Sequence, residues 1–151
     1  MRYIFWHEKY MFIYRVDFVF HEAGHLIFGI FGKFIGDLGG TLMQLLLPTA
    51  VFFSFLKSRQ FHSASLILFW IGENWINISI YAKDARARIL PLHGGESVTH
   101  DWSEILLTLN LLHHDQFIGN LFYFLGIVFM IAGLGFGLYF CFKSPKEPFD
   151  A

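Results

Sequence analysis

Residues 21–25 read His-Glu-Ala-Gly-His and lie inside an apolar segment that runs from about residue 10 to residue 31. On an α-helix, His21 and His25 are four residues apart and share one face, where two imidazole nitrogens can bind the same Zn²⁺. Glu22 lies one residue further round the helix, placed to take a proton from a metal-bound water. Polar groups in a membrane segment are costly unless they pair, bind a metal or face a wet cavity. The stretch therefore predicts a zinc centre with Glu22 as its base.

The composition of the chain indicates that lipid surrounds much of it. Among 151 residues, 55% are hydrophobic, 20 are Phe and only 15% are charged, whereas about a quarter of the residues in a soluble domain are charged. The net charge of −1 gives no indication of a nucleic-acid partner, and we expect none. The length is typical of one domain. We therefore expect a single membrane-embedded domain over residues 1–151, ending in a short polar tail at 143–151.

Hydropathy along the chain predicts an all-α, polytopic membrane protein. About 20 apolar residues in a helix cross a hydrocarbon core that is ~30 Å thick. Glycines at 36, 39 and 40 predict a break between the first two apolar segments, and a polar loop at 83–100 precedes a shorter helix that begins near Asp101 and stops near His113. The four segments expected to span the membrane are residues 10–31, 41–56, 61–81 and 117–142.

Two histidines leave a catalytic zinc site one short of its usual three protein ligands. Asp101 begins a helix after a glycine-containing loop, where its carboxylate can turn back towards the bundle; its alternative role is a simple N-cap. Asp84 is the other candidate, and its alternative role is a surface ion pair with Lys83 or Arg86. Further candidates with a suitable side chain are His100, His93, Glu73, His113 and His114.

A polar stripe runs along the third apolar segment. Asn74, Asn77, Tyr81 and Asp84 are spaced by three, four and three residues, which places them on one helix face. Such a stripe is typical of interhelical hydrogen bonding. It equally suits a face turned towards a metal or a substrate, and Asn74 and Asn77 are candidates for holding an extended substrate strand by its backbone. Gln44, in the second segment, offers another amide to a polar cavity.

Several of these features together resemble the site-2 protease family of intramembrane zinc metallopeptidases. The resemblance is carried by the HExxH at 21–25 in a first membrane segment, the Gly39-Gly40 turn, the Pro48-containing second segment, and a later Asn-containing segment with an aspartate. It implies that both histidines and a distant aspartate bind Zn²⁺ and that Glu22 is the general base. It also implies a membrane-embedded segment of another protein as substrate.

The third ligand is where the chain departs from the family's pattern. Asp101 fits the family's aspartate best, because a Pro- and Gly-containing stretch at 91–95 precedes it and an apolar helix follows. Asn77 to Asp84 approximates the family's Asn-to-Asp spacing but lacks the prolines and the glycine. The resemblance implies a minimal, multi-pass member in a bacterial plasma membrane, without the soluble domains that some members carry.

Three functions are compatible with the sequence. The leading one is a zinc-dependent endopeptidase that hydrolyses a peptide bond in or near a membrane segment of a partner protein. The second is a non-proteolytic membrane protein with a structural or vestigial zinc site, which a fourth protein ligand such as His100 would indicate. The third is a zinc hydrolase of a lipid or small amide, which a narrow pocket would favour. The sequence leaves the oligomeric state and the membrane orientation open.

Overall fold

The computed structural model describes residues 12–90 and 99–143, and within these ranges all regular structure is helical. The all-α prediction is therefore confirmed. His93, the glycines at 94 and 95 and the tail from residue 144 onward lie outside the described residues. The helices are α1 (Phe12–Phe28), α2 (Lys33–Lys57), α3 (Phe61–Lys83), α4 (Asp101–Thr108) and α5 (Asp115–Lys143), with 3₁₀ turns at Gly29–Phe31 and Leu112–His114.

Among the residues that the structure describes, two stretches of helix are long and apolar enough to cross a membrane. They are α2, with 25 residues, and the 32 residues Leu112–Lys143 that comprise α5 and the turn before it. The described part of α1 has 17 residues, fewer than a typical span needs. α3 has 23 residues, but its Glu73, Asn74 and Asn77 lower its mean hydropathy. The structure thus supports membrane association through two of the four predicted spans.

The predicted break at residues 33–40 is wrong, because α2 runs through it. The turn between α1 and α2 is at Gly32, whose φ of +100° suits glycine, and α2 begins at the next residue. Gly39 packs directly on Gly24, since a Cβ added at Gly39 would lie 2.6 Å from the Gly24 carbonyl oxygen. These glycines therefore let two helix backbones approach closely instead of making a turn. The crossing lies at the HExxH stretch itself.

A row of glycines joins α5 to α3. Gly119, Gly126 and Gly133 are seven residues apart, which keeps them on one face of α5. A Cβ at Gly126 would lie 2.8 Å from the Gly72 carbonyl oxygen, and one at Gly133 would lie 3.0 Å from the Ser65 carbonyl oxygen. The two helices therefore pack backbone against backbone. α2 completes the bundle by packing against both α1 and α3.

Adding a methyl group at the centre of this row is expected to destabilise the fold. We expect Gly126→Ala to cost about 1–3 kcal/mol, because the new Cβ meets both Ile76 and the Gly72 backbone. Gly135→Ala is the matched control on the same helix, since its Cβ meets no heavy atom within 4 Å. Thermal unfolding of both variants in detergent measures the difference. Equal unfolding temperatures would contradict backbone packing at Gly126.

A small apolar core anchors α4 against the end of the bundle. It places the first residue of α4, Asp101, beside α1 and α3, where the sequence-predicted ligands meet. α4 ends at Thr108 and not near His113, because Asn110 adopts a φ of +57° that a helix cannot continue. The buried residues of this core are Ile78, Ala82, Ala85, Trp102, Ile105 and Leu106.

Candidate metal centre

Three side chains converge where α1 meets the start of α4. Oδ2 of Asp101 lies 3.1 Å from Nε2 of His21 and 3.3 Å from Nε2 of His25. A tetrahedral Zn²⁺ with ligand bonds of about 2.0–2.1 Å holds its ligand atoms about 3.3 Å apart. The side chains are 12%, 25% and 12% exposed for His21, His25 and Asp101 respectively. The three atoms therefore have the spacing and the partial burial of metal ligands.

The other nitrogen of each imidazole points away from Asp101 towards an oxygen. Nδ1 of His21 lies 2.9 Å from Oε1 of Gln44, and Nδ1 of His25 lies 2.7 Å from the carbonyl oxygen of Gly36. Carbonyl oxygens only accept hydrogen bonds, so each Nδ1 is a donor, and in the neutral ring each Nε2 has the lone pair that a metal would take. Metal-binding histidines are commonly oriented in this way by a second hydrogen bond.

The donor set requires a positive charge at its centre. Two Nε2 lone pairs and a carboxylate oxygen repel one another unless protons or a metal ion lie between them. Burial raises the pKa of Asp101, but its contacts with His21 and His25 outweigh burial and hold that pKa well below the usual range of a carboxyl group. Asp101 is thus ionised at neutral pH and available as a ligand. The residues present fit a Zn²⁺ ion.

Glu22 lies beside the two histidines on the same helix. Its side chain is exposed, and one of its carboxylate oxygens lies within 4.8 Å of a ring nitrogen of His21 and of His25. Together with the two histidines it forms a group that could hold a metal ion, and it is also close enough to them to act as a base.

Asp84, the alternative third ligand, performs a structural role in a turn. Its carboxylate accepts hydrogen bonds from the backbone N–H groups of Ile89 and Leu90, at 3.0 and 2.9 Å, and lies 3.4 Å from Nε2 of His100. It closes the turn after α3 in this way. The structure therefore brings Asp101, and not Asp84, to the two histidines.

His100 is the N-cap of α4, a role that the sequence gave as the alternative for Asp101. Its Nδ1 accepts the backbone N–H of Ser103 at 3.3 Å. Burial lowers the pKa of His100, which keeps the ring neutral and leaves Nδ1 able to accept. Asp101, the next residue, therefore does not act as the N-cap of α4.

Asn74 and Asn77 belong to a polar cluster between α3 and α1. The Asn77 amide donates to Oε1 of Glu73, and the fully buried Asn74 amide donates to the Trp70 carbonyl oxygen and lies against Asp17. The indole N–H of Trp70 donates to Oδ1 of Asp17 at 2.9 Å. These bonds are interhelical or local, which is one of the two roles expected of the stripe. Contact with a substrate stays a prediction for both asparagines.

Two features of the centre were not assigned from the sequence. The Gly36 carbonyl is a backbone group without a sequence signal, and its use by His25 depends on the close crossing of α1 and α2. Tyr81 was recognised only as part of the stripe, although its hydroxyl donates to Oδ2 of Asp101 at 3.2 Å. The remaining imidazole candidates, His113 and His114, lie exposed in the turn before α5.

Comparisons of the chain with protein-family models, with curated proteins and with solved structures each returned no match. The similarity to the site-2 protease family rests on the residues quoted above.

Proposed function

We propose that this protein is a zinc-dependent intramembrane endopeptidase. The observation that carries the proposal is the approach of Oδ2 of Asp101 to 3.1 Å from Nε2 of His21 and 3.3 Å from Nε2 of His25, with both Nδ1 atoms held by oxygens behind them. Two imidazoles and one carboxylate are a ligand set used by catalytic zinc. Bound there, Zn²⁺ supplies a Lewis acid that polarises a carbonyl group and activates water.

In the proposed centre His21, His25 and Asp101 are the three protein ligands, and the exposed Glu22 is the base. A closed structural site needs a fourth protein ligand, and His100, the candidate named for that role, is occupied at the N-cap of α4 and beside Asp84. This arrangement favours the catalytic proposal over a structural zinc site.

Glu22 is the proposed general base. Its carboxylate accepts a proton from the water that attacks the scissile carbonyl carbon, and it returns that proton to the nitrogen as the C–N bond breaks. The products are a carboxylate and an amine, so the step is a balanced hydrolysis. The exposure of Glu22, in contrast to the partial burial of the two histidines beside it, supports this division of roles.

The proposed substrate is a peptide segment in or near the bilayer. The face of α1 that carries Glu22 continues in exposed apolar residues, with Leu26 81% exposed and Ile30, in the turn after α1, 80% exposed. Together with α2 and α5, this surface suits contact with lipid acyl chains and with an apolar peptide. We accordingly propose a multi-pass protein of a bacterial plasma membrane, with α1 and α3 inserted beside the two apolar helices and their polar sides turned inward.

Replacing Glu22 by Gln tests the mechanism. We expect Glu22→Gln to retain Zn²⁺, because Glu22 is not one of the converging ligands, and to lose about 10²–10⁴-fold in cleavage rate. The assay uses fluorescence-quenched peptides with an apolar membrane segment in detergent micelles, and metal content is measured on the same preparations. Glu104→Gln, which alters a partly exposed carboxylate on α4, is the control. Cleavage by Glu22→Gln at the wild-type rate would refute the base assignment.

A further inference from the structure

We propose that Tyr81 and His100 are positioning residues that free the carboxylate of Asp101 to act as a metal ligand. The inference rests on the metal centre of the proposed function, and neither residue contributes a ligand atom. It follows from a conflict at the start of α4. A carboxylate in the first turn of a helix has its own backbone N–H groups as nearby hydrogen-bond partners, and turning towards them would take it away from His21 and His25.

Tyr81 binds the nearest of these backbone N–H groups. Its hydroxyl oxygen accepts the backbone N–H of Asp101 at 3.3 Å, while the same hydroxyl donates to Oδ2 of Asp101 at 3.2 Å. One group on α3 therefore binds both the backbone and the side chain of the ligand. Because a phenol ring on a packed helix has few rotamers, this pair of bonds fixes the direction of the carboxylate.

His100 binds a second backbone N–H group in the first turn of α4. Its Nδ1 accepts the Ser103 N–H at 3.3 Å, which is the group that a capping side chain at the start of α4 binds, and the His100 carbonyl oxygen accepts the same N–H at 2.9 Å. The ring is 3% exposed and packs on Tyr81 with 4.2 Å between ring centroids. Its Nε2 lies 3.4 Å from Asp84 on the other side. His100 thus caps the helix in place of Asp101 and also supports the ring that holds Asp101.

These contacts form one continuous arrangement from α3 to the metal centre. Asp84 closes the turn after α3, His100 lies between Asp84 and Tyr81, and the Tyr81 hydroxyl reaches Asp101. Capping and ligation are divided between two adjacent residues, His100 and Asp101. This division explains why a histidine, with a ring acceptor and a flat stacking face, occupies a position where Ser, Thr, Asp or Asn would serve a simple cap.

The test compares Tyr81→Phe with Tyr123→Phe in the purified full chain. Each variant loses one phenol oxygen, but Tyr123 lies half-exposed on α5. We expect Tyr81→Phe to weaken Zn²⁺ affinity about 10–100-fold, as the loss of an outer-shell partner commonly does, and to alter the visible spectrum of the Co²⁺-loaded protein. Tyr123→Phe should match the wild type in both. Because Tyr81→Phe also loses two hydrogen bonds to Asp101, the metal-free form of this variant should unfold at a slightly lower temperature than the other two while keeping the fold.

A second pair of variants separates the two roles of His100. His100→Asn keeps a good N-cap and is expected to retain more Zn²⁺ affinity than His100→Leu, in which no side chain at residue 100 competes with Asp101 for the first-turn N–H groups of α4. Equal affinities in these two variants, or wild-type affinity in Tyr81→Phe, would overturn the positioning role while leaving the proposed peptidase intact. A wild type that binds Zn²⁺ but cleaves no peptide would refute the peptidase and leave the positioning role standing. A wild type without Zn²⁺ affinity would refute both.

Discussion

Asp101→Ala protein is expected to lose its Zn²⁺, whereas Asp84→Asn protein is expected to keep it. Asp101 is the residue whose carboxylate oxygen lies 3.1 and 3.3 Å from the two Nε2 atoms, and its removal leaves only His21 and His25. A catalytic zinc site normally has three protein ligands. The loss should therefore exceed the roughly 10–100-fold reduction that follows removal of an outer-shell partner.

The Asp84 substitution separates ligation from folding. Asn keeps one of the two oxygens that accept the N–H groups of Ile89 and Leu90, so the turn after α3 should be retained at a cost of about 1–3 kcal/mol for the bond that is lost. Metal content after dialysis against a weak chelator, measured beside the unfolding temperature, distinguishes the two effects. Glu104→Gln on α4 is the control for removing a carboxylate from the same helix. Retention of Zn²⁺ in Asp101→Ala, or its loss in Asp84→Asn alone, would reverse the assignment of the two aspartates.

The histidine pair was predictable because its geometry is local. Four residues along a helix bring His21 and His25 to the same face wherever the helix lies in the fold. Asp101 is 80 residues from His21, and its approach depends on the packing of α4 against α3, which no local pattern specifies. The sequence therefore favoured two candidates for the third ligand, Asp101 and Asp84. Tertiary packing brings Asp101 to the histidines.

The glycines of α2 show why local rules failed between the first two helices. Gly36, Gly39 and Gly40 satisfy the usual signals of a turn, yet they lie within a continuous helix. Because these residues have no side chain, the neighbouring backbone can approach them closely: Gly36 lies beside Gly29, and Gly39 lies beside Gly24. A single sequence does not distinguish a glycine that breaks a helix from one that admits a neighbouring helix.

The polar stripe of α3 is the opposite case. The spacing identified the shared helix face, but it did not identify the partner of each side chain. Spacing of three and four residues correctly placed Asn74, Asn77 and Tyr81 along a common side of the helix. The structure then divides this side, since the asparagines bond near Trp70 and Glu73 while Tyr81 reaches Asp101. Periodicity gives the face of a helix, whereas the partner of each residue depends on the neighbouring elements.

Gly40→Ala is expected to abolish high-affinity Zn²⁺ binding although it adds only one methyl group. A Cβ at residue 40 would lie 2.5 Å from both Nε2 and Cε1 of His21 and 2.7 Å from its Cδ2. Ordinary contacts between such atoms are about 3.5–4.0 Å, so the imidazole must retreat by about 1 Å. The ring is held between Gln44 and Asp101, and a retreat of that size removes it from both. A 1 Å displacement at a reactive centre commonly costs about 10²-fold.

The same substitution should leave the helix bundle folded, which makes it a specific probe of the metal centre. Ala is a better helix former than Gly by about 1 kcal/mol, and the atoms that Gly40→Ala displaces belong to one side chain. Gly24→Ala differs, because its Cβ would meet the Gly39 backbone and force the two helices apart, so both Zn²⁺ affinity and unfolding temperature should fall. Gly29→Ala, whose Cβ meets no heavy atom within 4 Å, should change neither. Wild-type Zn²⁺ affinity in Gly40→Ala would mean that His21 binds no metal in the position described.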